Sequence, residues 1–456
     1  MERRQFLRMS AGTSLATGLG LATVGLDSCA PESSEANPPN PMSTPPDPKR
    51  EADLDAAADE LFSHLSNQST SVEPIQRHEY QARVARLAGL LKESPYDAMV
   101  AEGGATMRYL TGMTWGHSER LFALIITADG EQFWLCPHFE ADRARLKIEA
   151  NNGNGDLVGP GGQIVTWHEN EYPFAPLAAA MGERNVDRIA VEPSLRHRFA
   201  HGFAEEMGAY RVGIGLDLLV ELRGRKDVHE LQLLRRVNEL TQQGIAAAAE
   251  HIKPGMTGAD ISRLMRQAQS KLGLTGIWDL SLIGEASAYP HGGSAGHKLR
   301  SGEVLLVDTG GTLHGYQSDN TRSWVPDGAI PDKVNLVWNI VRDAQKAAFD
   351  AIRPGDQCHV VDRAARELIV AKGFGPGHEF FSHRLGHGIG TEGHEDPYFD
   401  GGSKVQMASG MTFSNEPGIY ILGEFGIRIE DVVVVTDEGS DHFGEWQTSP
   451  RFPGPE

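Results

Sequence analysis

VLLVDTGGTLHGYQSDNTRSW, residues 304–324, is the stretch on which the fold turns. Its apolar opening, Val304 to Val307, has the length and β-branched content of a buried strand and delivers Asp308 at its end. A Gly315-Tyr316 turn follows, and Asp319 then opens a second short strand. Two adjacent strands can aim both carboxylates into one space. Alone, an aspartate after a strand is more often a turn residue, so the reading depends on what lies further along the chain.

HRLGHGIGTEGHEDP (383–397) adds His383, His387 and His394. Glycines at 386, 388 and 390 argue against a helix, so this is not the helical zinc-protease pair, and HEFFSH (378–383) has one residue too many for HExxH. MTFSNEPGIYI (411–421) and GIRIEDVVVVT (426–436) both read as strands, whose period of two puts Thr412, Ser414 and Glu416 on one face and Arg428, Glu430 and Val432 on one face. A glutamate inside the run Ile427 to Val434 is costly to bury without a partner. Asp308, Asp319, His387, Glu416 and Glu430 together form an oxygen-rich set with one imidazole. Such a set suits two divalent ions, since bridging carboxylates screen cations about 3.5–4 Å apart. Hard donors favour Mn(II), with Co, Zn or Fe admitted by availability. The competing reading is a buried salt-bridge network built on Arg322 and Arg428.

Upstream, Asp227 and Glu230 have capping-box spacing ahead of an apolar face (Leu231, Leu234, Ile245, Ala248) that Pro254-Gly255 ends, and Thr257 with Asp260 starts a second helix. Further upstream, Ile75, Val84, Leu87 and Leu91 suggest an amphipathic helix, and Glu51 to Leu65 a short one before it. Leu121–Thr127 and Gln132–Cys136 flank an Asp129-Gly130 hairpin turn, and Arg188–Glu192 is a strand before a helix running to about Met207. This region is an α/β module. GPGGQ (159–163) lacks the lysine and the strand-to-helix setting of a phosphate loop and reads as a turn.

The chain begins with Arg3 and Arg4 ahead of Phe6 and Leu7 and a weakly apolar stretch from Ala11 to Leu26, the order of a twin-arginine export signal. Leu26-Asp27-Ser28-Cys29 resembles a lipoprotein cleavage box, with Asp27 departing from the small or apolar residue usual there, so acylation of Cys29 and plain cleavage both stay open. Residues 30–72 then read as a proline-rich spacer and the short helix. The expected location is periplasmic, or membrane-anchored if Cys29 carries lipid. Among 456 residues, 62 Asp plus Glu against 42 Lys plus Arg give a net charge of −20, the wrong sign for binding nucleic acid. Three cysteines (Cys29, Cys136, Cys358) make no disulfide framework.

The order VDxGxxxxGYxSDxTR, HxxGHGIGxxxHExP, NEPGIY, GIRIEDxVxVT resembles the pita-bread (creatinase/aminopeptidase-fold) metallopeptidases, in particular the Xaa-Pro aminopeptidase and prolidase branch. The resemblance implies an α/β creatinase-like N-terminal domain over residues 73–225 and an α+β pita-bread catalytic domain over 226–456. It implies that Asp308 binds one metal, that Asp319 and Glu430 bridge two, and that His387 and Glu416 complete the second. A bridging water or hydroxide would attack the scissile carbonyl with Glu416 as proton acceptor. His394 would stabilise the tetrahedral intermediate, His291 would contact substrate or shuttle a proton, His383 would line the substrate pocket, and Arg428 would brace Glu430 or the substrate. It further implies hydrolysis of Xaa-Pro bonds in a homodimer, with Trp115, His117 and Arg120 reaching over a neighbouring subunit's site; for Trp115, ordinary loop packing is the alternative. Dipeptidase and aminopeptidase are not separated, a non-proline amide remains an alternative substrate, and a binding protein without turnover is the reading from another class. GGSAG (292–296) fits a serine-nucleophile pattern but lacks the strand before it and the helix after it.

Overall fold

The computed structural model describes residues 60–152, 163–293 and 297–452. The export segment with Cys29, the spacer to residue 59, most of the 159–163 turn and Ser294 of GGSAG lie outside the described residues. No helix among those described is long and apolar enough to cross a membrane.

The first half builds one sheet. Helix α1 (Arg77–Lys92) starts where the Glu79 carboxylate accepts from the Gln76 N–H at 2.6 Å, and it buries Val84, Leu87 and Leu91. Strand β1 (Ala98–Glu102), helix α2 (Ala105–Thr111), β2 (Ala123–Thr127), β3 (Gln132–Pro137), α3 (Ala141–Asn152), β4 (Ile164–Trp167), α4 (Phe174–Gly182), β5 (Ile189–Val191), α5 (His197–Met207) and β6 (Val212–Ile214) follow. The sheet order is β4-β3-β2-β1-β5-β6. The β2–β3 hairpin turns at Asp129-Gly130, where Gly130 takes φ 83°, a conformation that costs a side chain but not glycine. Helices cover both faces, so β1 and β2 are buried throughout; Met99 faces one core and Val100 the other.

The second half opens with α6 (Val228–Ala249) and α7 (Gly258–Lys271), each started by the reciprocal cap read from the sequence. Asp227→Ala should remove about 1 kcal/mol of stability, read as a lower denaturation midpoint with an unchanged slope. Strands β7 (Thr275–Ile283), β8 (Leu305–Leu313), β9 (Tyr316–Gln317) and β10 (Asn320–Trp324) form a sheet whose inner face (Leu305, Val307, Trp324) packs on those helices. Helices α8 (Asp332–Ala351) and α9 (His359–Ala371) cover the remainder. It comprises β11 (Gly386–Gly388), β12 (Glu395–Phe399), β13 (Thr412–Asn415), β16 (Asp431–Val435) and β17 (Ser440–His442) in the order β12-β11-β13-β16-β17, and the hairpin β14 (Gly418–Ile421)–β15 (Phe425–Arg428).

Three expectations need correction. Asp308 lies inside β8, not at its end, because β7 and β10 pair on either side and carry the strand on to Leu313. MTFSNEPGIYI is two strands split at Glu416-Pro417, since proline has no N–H to give the ladder. GIRIEDVVVVT is also two strands, in different sheets; between them the Glu430 N–H donates to Thr321 O at 3.0 Å, bridging to β10.

The described residues belong to one compact unit, and buried ion pairs tie its two halves. The Arg83 guanidinium donates to Tyr109 O (2.9 Å) and to the Tyr316 hydroxyl (2.7 Å), which donates on to Glu230 (2.8 Å). Arg223 meets Glu392 at 2.6 Å and Glu395 at 2.7 Å, and Lys226 meets Glu395 at 2.8 Å.

Candidate metal centre

Two strands, the approach to a third and two strand breaks aim polar groups into one cleft of about 390 Å³. Asp308 projects from β8, Asp319 stands just before β10, His387 is central in β11, Glu416 follows β13 and Glu430 joins β15 to β16. Donor atoms within 4.8 Å of one another form three groups: Asp308, Asp319 and Glu430; His387, Glu416 and Glu430; and Asp319, His387 and His394. Glu430 belongs to two of them, and so does Asp319, so the five residues singled out in the sequence meet around adjoining positions.

The donor set fits cations. Burial comes first in raising the carboxyl groups of Asp319 and Glu430 well above their ordinary range, and neighbouring carboxylates raise them further; burial also pushes Glu416 up to about 7, with Arg428 opposing. Glu430 Oε1 is buried without a hydrogen-bond partner, and among the described residues no N–H or O–H donates to the Asp319 carboxylate. His387 sharpens the point. Its Nδ1 faces Gly388 O at 3.1 Å, which assigns the proton there and leaves an Nε2 lone pair 3.4 Å from Glu416 and 3.6 Å from Asp319. Lone pair against carboxylate oxygen is repulsive unless a cation lies between them. Burial holds the His387 imidazole neutral, pushed down to about 3.

Other side chains steady these donors. The Thr321 hydroxyl lies 3.0 Å from Asp308 and 2.7 Å from Glu430 and accepts from Arg428 Nε at 3.1 Å. Arg428 donates to Asp308 (2.7 Å), Tyr420 Oη (2.9 Å) and Pro290 O (3.1 Å); its link to Glu430 runs through Thr321. Arg322 turns away and pairs with Asp431 at 2.7 Å. Among the described residues only Arg428 bonds directly to any of these four carboxylates, with Arg384 at the rim, too little charge for the salt-bridge alternative. Ser414 Oγ accepts from the His387 N–H and donates to Glu416 at 3.1 Å.

Three histidines rim the cleft. His394 stacks on His387 with ring centres 3.7 Å apart, His291 is exposed beside Pro290, and His383 Nε2 lies 2.7 Å from Tyr420 Oη. Burial, then Arg428, keeps His383 neutral, pushed down to about 3. Trp278, Leu280 and Pro290 supply an apolar wall. Sequence reasoning did not single out Thr321, Tyr420, Trp278 or Arg384 for the site. The Thr of DxTR and the Tyr of EPGIY stood inside the motifs, but nothing in the sequence marks an exposed arginine as a cleft residue. Arg384 lies over the Tyr398 ring at 4.1 Å and meets no carboxylate among the described residues. Within the chain, Trp115 stacks on Phe122 at 4.0 Å with Arg143 against its ring at 4.5 Å, and Arg120 pairs with Glu169 at 2.7 Å.

Comparison with known proteins identifies the family and the fold. Residues 232–437 match the model of metallopeptidase family M24, and residues 83–223 that of the creatinase/prolidase N-terminal domain. The chain is 34% identical over 382 residues to an uncharacterized peptidase of Schizosaccharomyces pombe, covering 80% of this chain and 81% of the relative. It is 31% identical to the Xaa-Pro dipeptidase of Lactobacillus delbrueckii subsp. lactis, covering 78% and 95%. The crystal structure of dipeptidase PepE from Mycobacterium ulcerans superposes with a TM-score of 0.75 at 30% identity, over 83% of this chain and 98% of that one.

Proposed function

Because the chain belongs to metallopeptidase family M24, with a creatinase-type domain ahead of its pita-bread catalytic domain, we propose that it is a dinuclear enzyme cleaving Xaa-Pro bonds in dipeptides. The carrying observation is the pair of three-donor groups that share Glu430 inside one cleft. Asp308, Asp319 and Glu430 would hold one ion and His387, Glu416 and Glu430 the other, with Asp319 reaching both. Bound there, divalent ions, with Mn(II) the best match to the oxygen donors, supply Lewis acidity and a water of lowered pKa.

The chain's own groups do the rest. Glu416, steered by Ser414, takes the proton released in the attack and passes it on toward the leaving nitrogen. His394, exposed at the rim and stacked on His387, donates to the oxygen that gains charge, and His291 contacts the substrate backbone. His383 stays neutral and, with Arg428, frames the pocket through Tyr420. An imido bond has no N–H to recognise, so selection falls to shape, and the wall of Trp278, Leu280 and Pro290 suits a proline ring.

Arg384 favours a dipeptide. It is an exposed cation at the mouth of an acidic cleft, stacked on Tyr398; a free carboxylate one residue past the scissile bond would meet it there. Arg384→Ala should raise KM for an Xaa-Pro dipeptide about tenfold while leaving kcat within about twofold. Equal KM values for variant and parent would remove the argument for a dipeptidase. A digest of a peptide library by metal-reconstituted enzyme, scored for the bond cut and for length, tests the whole reading. The same reading includes a homodimer and twin-arginine export, with Cys29 as a lipid anchor point. Mass in solution and cell fractionation check these.

A further inference from the structure

The segment carrying His383 and Arg384 has little secondary structure to hold it: residues 372–385 are neither helix nor strand. Its backbone is pinned from behind by two side chains on α9. Arg366 Nη1 donates to Phe381 O at 2.6 Å and Nη2 to His383 O at 2.8 Å, while its guanidinium lies 4.2 Å from the Phe381 ring centre. Asp362 holds that guanidinium through two hydrogen bonds, 3.0 and 2.8 Å, and accepts from the Leu385 N–H at 3.0 Å. Asp362 is almost fully buried, and neither residue reaches the cleft. One guanidinium and one carboxylate thus satisfy three backbone groups around Arg384, the task a neighbouring strand would otherwise perform.

We propose that Asp362 and Arg366 are positioning residues that set where the His383–Arg384 segment meets the substrate's C-terminal carboxylate, an inference that rests on the carboxylate reading of Arg384. Residues 383 and 384 sit between carbonyls and an N–H fixed by a rigid helix, so the side chain at 384 projects from a fixed base. Behind the pair, a groove of about 550 Å³, lined by His359, Glu367 and His378 among others, opens to solvent. A small cation can therefore reach the space that Arg366 fills.

The test compares holoenzyme carrying Arg366→Ala, Arg366→Lys or Arg384→Ala on an Xaa-Pro dipeptide and on the same dipeptide amidated at its C-terminus. Arg366→Ala should raise KM for the dipeptide about tenfold, with kcat little changed and the amide hardly affected, and added methylguanidinium should restore the dipeptide KM. Arg366→Lys, which keeps the charge but cannot span two carbonyls, should fall between. Equal losses on dipeptide and amide, or a lower melting temperature with both KM values unchanged, would overturn the proposal. Arg384→Ala separates it from the reading beneath. If that variant keeps its preference for the free carboxylate while Arg366→Ala loses it, Arg384 is not the carboxylate's partner but the positioning role stands, acting through His383. If Arg384→Ala loses the preference and Arg366→Ala keeps it, the positioning role falls alone.

Discussion

Asp319→Asn is expected to abolish both metal retention and turnover, with the purified parent carrying close to two divalent ions per chain. Asp319 is buried, receives no hydrogen bond from any described residue, and has donor atoms in two of the three groups. An amide of the same shape keeps the packing but offers one neutral oxygen and an NH₂ that points positive hydrogens at the ions. In the dinuclear reading, the charge lost is one of those that would screen two like cations from each other. Several kcal/mol of ion-derived stabilisation corresponds to at least ~10³-fold in kcat/KM. Elemental analysis and turnover should fall together. Because burial and neighbouring carboxylates hold Asp319 above its ordinary pKa range without ions, the ion-free variant should also be at least as stable to heat as the ion-free parent. A variant with parental turnover and no bound metal would eliminate the mechanism.

Glu395→Gln should produce the largest loss of stability away from the metal donors. Glu395 is buried between Arg223 at 2.7 Å and Lys226 at 2.8 Å, and both cations are buried with it. Burial tends to raise its carboxyl pKa, but Lys226 and then Arg223 outweigh it and hold the group below the ordinary carboxylate range. Removing the charge takes away Lys226's carboxylate partner in low dielectric and leaves Arg223 only the partly exposed Glu392, which costs about 3–5 kcal/mol. A carboxylate held below its unfolded pKa stabilises the fold at pH values above that unfolded value, and the contribution is lost as pH falls through the folded one. The parent should therefore lose stability in acid more steeply than Glu395→Gln. Denaturant midpoints for both at neutral and acid pH measure this. Parallel curves would show that the pair is neutral to stability. Adding Arg223→Met should cost less than the sum of the two single changes, since each removes the other's unpaired partner.

Much of this was legible in the chain because the signals were local. Asp227 with Glu230 and Thr257 with Asp260 form the caps their spacing predicts, and Asp129-Gly130 makes its turn. The five candidate donors were readable because carboxylates are rare in apolar strands, and their convergence follows once the strands pair. Strand ends were less legible. Asp308 is followed by Thr-Gly-Gly, which reads as a loop, yet flanking β7 and β10 hold it as strand, and at Gly310 a Cβ would lie 2.0 Å from Ser318 O. The apolar run around Glu430 concealed a change of sheet, because bridging to Thr321 is a tertiary event with no local mark. Arg384 and Arg366 were hidden for the same reason: an arginine's role depends on what it reaches across space.

The turn between β11 and β12 ends at His394 and lies in the second half by sequence, but the first half grips it. Arg108 of α2 donates to Thr391 O, and Arg223 reaches the Thr391 hydroxyl as well as Glu392 and Glu395. Inheritance is constrained accordingly. A half exchanged into this chain would have to bring side chains that match these charges at the seam.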